Sequence, residues 1–135
     1  MQVPPGATDG GGLMSERVIL CIDDDPDFLE QLEAILTSGG YKVVKAESAS
    51  EGFEKLEETT PCLIVVDCMM ETIDSGIEFA KELKKRGNTA PVVMTSNIGD
   101  GLYNQSDTAK FGLAGVLQKP VDRTALLDLV AKKIA

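Results

Sequence analysis

Histidine is absent from this sequence. With no imidazole, the chain holds no Ser/His/Asp or Cys/His catalytic set, no histidine-containing zinc site and no phosphohistidine of its own. Cysteine is scarce: Cys21, Cys62 and Cys68 are too few and too scattered for a disulfide framework, and any pairing leaves one over. Cys21 and Cys62 lie in or beside apolar runs and read as small buried hydrophobes, while Cys68, next to Asp67, is open to more exposure. No cation or CxxC partner marks any of the three as reactive. Basic residues are outnumbered, with 13 Lys+Arg against 22 Asp+Glu and a net charge of −9. Such a surface repels phosphate backbones and anionic lipid, which argues against direct nucleic-acid or membrane binding. No apolar run approaches the roughly 20 residues of a membrane span, and the first residues lack the basic region and apolar core expected of a signal peptide. The expected setting is a reducing cytoplasm.

What is present fits one globular domain of 135 residues, 43% hydrophobic and 26% charged. Residues 1–15 open with prolines and glycines and read as a flexible tail or linker; 16–135 read as the domain. Within it, short runs rich in branched residues alternate with helical stretches. The runs are Val18–Ile22, Lys42–Lys45, Cys62–Val66, Val92–Met94 and Gly115–Leu117. The clearest helical stretches are Pro26–Ser38, Ser50–Glu58, Gly76–Arg86 and Arg123–Ile134. Residues 100–111 have poor helix formers and a loose pattern, and read as a short or distorted helix. Five strands alternating with helices predict an α/β fold with a parallel sheet, because parallel neighbours need crossover connections. The first, third and fourth runs lack polar alternation, as strands covered on both faces do.

In open parallel sheets, ligands bind beyond the carboxyl ends of the strands. Asp23, Asp24 and Asp25 follow the first strand, Asp67 the third, Thr95, Ser96 and Asn97 the fourth, and Gln118, Lys119 and Pro120 the fifth. Carboxylates about 5 Å apart repel by roughly 3 kcal/mol at an effective dielectric of 20, so their clustering calls for a cation. An all-oxygen donor set suits Mg²⁺. A lysine and a hydroxyl at the same rim are superfluous for ion binding alone. They suit a phosphoryl group, whose oxygens need a metal, an ammonium and a hydrogen-bond donor, and which aspartate can accept as an acyl phosphate.

From Arg17 onward the chain resembles a response regulator receiver domain of two-component signalling. The matching pieces are ILCIDDDPD (Ile19 to Asp27), LIVVDCMM (Leu63 to Met70), PVVMTS (Pro91 to Ser96), FGLAG (Phe111 to Gly115) and Lys119-Pro120. Their order and spacing carry the resemblance. It implies a doubly wound, flavodoxin-like (βα)5 fold with strand order 2-1-3-4-5. It also implies Asp67 as phosphoacceptor, and Asp23 and Asp24 as the acid pair binding Mg²⁺ with Asp67 and the backbone carbonyl of Met69. Lys119 becomes the phosphate-contacting lysine, with a cis peptide to Pro120. The phosphate-contacting hydroxyl falls on Ser96, five positions after Pro91, with Thr95 as rival. Asn97 takes a place usually held by a small residue beside the phosphorylation site.

The chain also departs from the family. Glu71 stands where proline is common, and Gly76 follows Asp67 by one residue more than usual. Val116 replaces the aromatic switch residue three positions before Lys119. A response to phosphorylation is therefore expected to travel through backbone, with residues 98–111 as the pliable part. The resemblance implies a sensor histidine kinase or phosphotransfer protein as donor, as in a phosphorelay, and a downstream protein partner or fused output domain. Because the sequence ends just after the fifth helical stretch, that output would lie outside it. The chain would not be an enzyme beyond promoting its own phosphorylation and dephosphorylation. Leu126, Leu127, Leu129, Val130 and Ile134 form a wide apolar band on the last helix. Partner docking or a homodimer is expected there, together with the fifth strand and residues 100–111. Three alternatives remain. A receiver-like module could bind partners without phosphorylation. A haloacid dehalogenase-type phosphatase would use Asp23 as nucleophile and Asp25 as acid/base, but lacks its second acidic pair here. A flavin carrier would need a Ser/Thr/Gly phosphate loop where three aspartates stand.

Overall fold

A computed structural model describes residues 17–68, 70, 75–97 and 112–134. The described elements run β1 (Val18–Ile22), α1 (Pro26–Ser38), β2 (Lys42–Ala46), α2 (Ala49–Glu58), β3 (Leu63–Asp67), α3 (Ser75–Lys85), β4 (Val92–Asn97), β5 (Gly115–Lys119) and α4 (Arg123–Ile134). The five strands form one parallel sheet in the order β2-β1-β3-β4-β5. This is the doubly wound, flavodoxin-like architecture, with β1 opening one half of the sheet and β3 the other.

Alternate side chains point to opposite faces of a strand, so each covered strand feeds two cores. Leu20, Ile22, Ile64, Val66 and Met94 pack with Phe79 and Leu83 of α3, and Phe53 and Leu56 of α2 lean on that layer. Ile19, Cys21, Val65 and Val93 pack on the other face with Leu29, Leu32 and Leu36 of α1 and Leu126 and Val130 of α4. β3 is buried at all five positions, whereas the edge strand β2 is buried only at Ala46.

The helix ends follow local chemistry. Asp25 caps α1 by accepting from the Asp27 N–H at 3.0 Å, and Pro26 supplies the first helical residue without a wasted donor. Ser48 caps α2 by accepting from the Glu51 N–H at 3.0 Å, while the Glu51 carboxylate accepts from the Glu47 N–H at 2.7 Å. Gly40, just past α1, has φ +94° and turns the chain into β2.

Two cysteines differ from expectation. Cys62 is only half-buried, its thiol donating to the Val18 carbonyl at 3.3 Å. Cys68 is buried, because α3 returns across the end of β3 and encloses it. Among the described residues no helix is long and apolar enough to cross a membrane.

Candidate functional site

The first strand delivers its acids in three directions. Asp23 continues the β1 ladder, its N–H donating to the Ala46 carbonyl at 3.1 Å, and its side chain is 1% exposed. Its Oδ1 accepts from the Asp25 N–H at 2.9 Å. Asp24 is exposed, and Asp25 is turned to the helix cap. The third acid of the run therefore starts α1, a duty that proline at the next position signals.

Asp67 is the last residue of β3 and is 4% exposed. Carboxylate oxygens of Asp23, Asp24 and Asp67 all lie within 4.8 Å of one another. Among the described residues, Lys119, the last residue of β5, is the cation that meets this charge. Its Nζ donates to Asp23 Oδ2 at 2.8 Å and stands 3.5 Å from Asp67 Oδ2. Burial would lower the Lys119 pKa, but the hydrogen bond and charge of Asp23, with the charge of Asp67, outweigh it. The pKa stands above its ordinary value. The same ammonium lies 4.3 Å from the centroid of the Phe28 ring, which α1 presents from below its cap. The Lys119–Pro120 peptide is cis.

Position 76 admits only glycine. α3 begins against the end of β3, and the Gly76 N–H donates to the Cys68 carbonyl at 3.0 Å. A Cβ there would come 2.3 Å from the Asp67 carbonyl oxygen and 2.6 Å from the Cys68 Cα. Beside it, the Ser75 hydroxyl accepts from the Met70 N–H at 2.6 Å.

β4 extends through its polar end because the parallel ladder pairs Asp67 with Thr95, and the Cys68 N–H donates to the Thr95 carbonyl at 2.9 Å. Thr95 and Ser96 are both buried. Ser96 Oγ donates weakly to the Asn97 carbonyl at 3.3 Å. Thr95 Oγ1 has no hydrogen-bond partner among the described residues. Asn97 is exposed and pairs in register with Lys119. Val116 is buried, stands in register with Met94 and belongs to the core on the α2/α3 face. Met69, whose carbonyl the resemblance enlists, lies outside the described residues, as do residues 1–16, 71–74 and 98–111.

The apolar band of α4 is largely taken up within the chain. Leu126 and Val130 are fully buried, and Leu127, Leu129 and Ile134 pack against the same core. Any Cβ at Gly39 or Gly115 would press on Leu127 or Leu129, at 2.8 and 3.0 Å. Sequence reasoning missed Phe28 beneath Lys119; only its place in the first turn of α1, after the acid run, hinted at it.

The model of the response regulator receiver domain family matches residues 19–131. Relatives include transcriptional regulatory protein GlrR of Escherichia coli (strain K12), 34% identical over 112 residues, covering 83% of this chain and 25% of that protein. Transcriptional regulatory protein ZraR of Klebsiella oxytoca is 36% identical, covering 87% of this chain and 26% of ZraR. A receiver domain from Clostridium thermocellum superposes with a TM-score of 0.78 at 28% identity, covering 87% of this chain and 94% of that one. The chain belongs to the response regulator receiver domain family of two-component systems. It spans about a quarter of the length of GlrR and of ZraR.

Proposed function

We propose that the chain accepts a phosphoryl group on Asp67. The observation that carries this reading is the pairing of a buried strand-end carboxylate with two further acids and one partly buried ammonium. A carboxylate oxygen of Asp67 attacks the phosphorus of a phosphohistidine on a sensor kinase or phosphotransfer protein. The P–N bond breaks, the imidazole leaves with its electron pair and takes up a proton, and an acyl phosphate forms.

The donor set fits Mg²⁺: three hard carboxylate oxygens within reach of one ion, with too few protein ligands to fill an octahedron and so room for water and phosphoryl oxygen. Asp23, Asp24 and Asp67 would hold it, and the ion would supply positive charge against the incoming phosphoryl oxygens. Lys119 neutralises one further oxygen, and the Ser96 hydroxyl donates to another once it leaves the Asn97 carbonyl. Thr95, in register with Asp67, is the second hydroxyl of that end. The product is a modified form of the chain itself, so the chemistry serves signalling rather than turnover. The signal is read by a protein partner or by a further domain; the relatives named as transcriptional regulators favour control of transcription as the output.

Acetyl phosphate carrying ³²P tests this reading. With Mg²⁺ the chain should take up label that hydroxylamine releases, and both chelation of the ion and Asp67→Asn should abolish uptake. Stable label in Asp67→Asn would overturn it.

A further inference from the structure

Among the described residues, the aromatic ring that meets Lys119 comes from α1, not from the strand that carries the lysine. Val116, three residues before Lys119, faces the α2/α3 core, while the Phe28 ring lies 4.3 Å from Nζ on the α1/α4 side. The Lys119 side chain is 14% exposed and Phe28 6% exposed, so the contact is largely withdrawn from water. An ammonium over an aromatic face is attracted by the ring's negative quadrupole, more strongly where water is excluded.

Among the described residues, three groups meet Nζ: Asp23 at 2.8 Å, Asp67 at 3.5 Å and the ring of Phe28. Two of them are carboxylates of the acid cluster. A cation arriving there competes for both acids, and their hold on the lysine weakens. The ring face is neutral, belongs to a helix capped by Asp25 and packed on the sheet, and takes no part in that competition.

We propose that Phe28 is a positioning residue for Lys119: its ring is the seat that keeps the ammonium at the strand ends when Asp23 and Asp67 are engaged elsewhere. The geometry stands by itself. Its consequence for the rate rests on the phosphoryl-acceptor reading above.

The test replaces Phe28 with mono-, di- and trifluorinated phenylalanine, which drain charge from the ring face at nearly constant volume, and with Leu as an apolar control. In the unmodified protein the Lys119 ε-methylene protons should resonate upfield through the ring current. Phe28→Leu should remove that shift. Labelling of Asp67 by acetyl phosphate should slow stepwise with fluorine number, by about five- to tenfold across the series. A purely structural Phe28 would leave the fluorinated proteins equal. An absent ring-current shift, or equal rates across the series while Asp67 takes label normally, would overturn the proposal. Should the unmodified protein take no label on Asp67, the acceptor reading fails instead, and the ring-current shift alone decides whether Phe28 seats the lysine.

Discussion

Lys119 donates to Asp23 at 2.8 Å across two intervening strands, and stands farther, 3.5 Å, from Asp67. The resting ammonium thus leans on an acid of the proposed metal pair rather than on the proposed phosphoacceptor. Losing it leaves Asp23 buried at 1% exposure beside two other carboxylates. Breaking a fully buried pair from one side costs about 3–5 kcal/mol, and the partial exposure of Lys119 screens it, so Lys119→Met should lower the metal-free stability by about 1–2 kcal/mol in urea unfolding. Mg²⁺ should restore more stability in the variant than in the parent. An unchanged urea midpoint would show that the pair is not formed.

The same pair sets an alkaline limit. The folded Lys119 pKa is raised, so its contribution is full below the ordinary lysine value of 10.5 and is lost as pH rises through the folded value. The gap in stability between parent and Lys119→Met should hold constant from neutral pH to about 10 and narrow only above it. A gap that stays unchanged above the folded pKa would show that the Lys119 charge does not stabilise the fold.

Gly76→Ala should be among the most damaging single-methyl additions in the chain. The added carbon would meet backbone on both sides, at 2.3 and 2.6 Å, and neither atom belongs to a flexible side chain. A loss of about 3 kcal/mol or more is expected in chemical denaturation, together with slower Asp67 labelling because the end of β3 must shift. A variant with parental stability would mean that α3 can slide away freely.

Much of this architecture was readable from the residues, for reasons that differ by element. Val18–Ile22, Pro26–Ser38 and Arg123–Ile134 keep their expected bounds, since a continuous branched run and two amphipathic patterns depend on local order alone. β3 and β4 run on into Asp67 and Asn97 because ladder pairing with a neighbour, not side-chain polarity, decides where a strand stops. The convergence of Asp23, Asp67 and Lys119 followed from strand ends sharing one rim. Which acid holds the lysine, and which ring lies under it, depends on side-chain reach across four strands. The burial of Cys68 and the packing of Leu126 and Val130 of α4 are likewise tertiary facts: each depends on where a distant element packs.

Thr95 offers a stability test. A buried hydroxyl without a partner costs about 1–3 kcal/mol, and valine has nearly the same shape. Thr95→Val should therefore raise the stability of the unmodified protein by about 1 kcal/mol in calorimetry. Destabilisation would mean that the hydroxyl is bonded in solution.

The most direct measurement of the central claim locates the acyl phosphate. Protein treated with acetyl phosphate and Mg²⁺ is reduced with borohydride, which converts an acylated aspartate to homoserine, and peptides are then mapped by mass spectrometry. The account predicts homoserine at position 67 alone, with Asp23 and Asp24 intact. Homoserine at 23 or 24 would contradict it and move the nucleophile to the first strand.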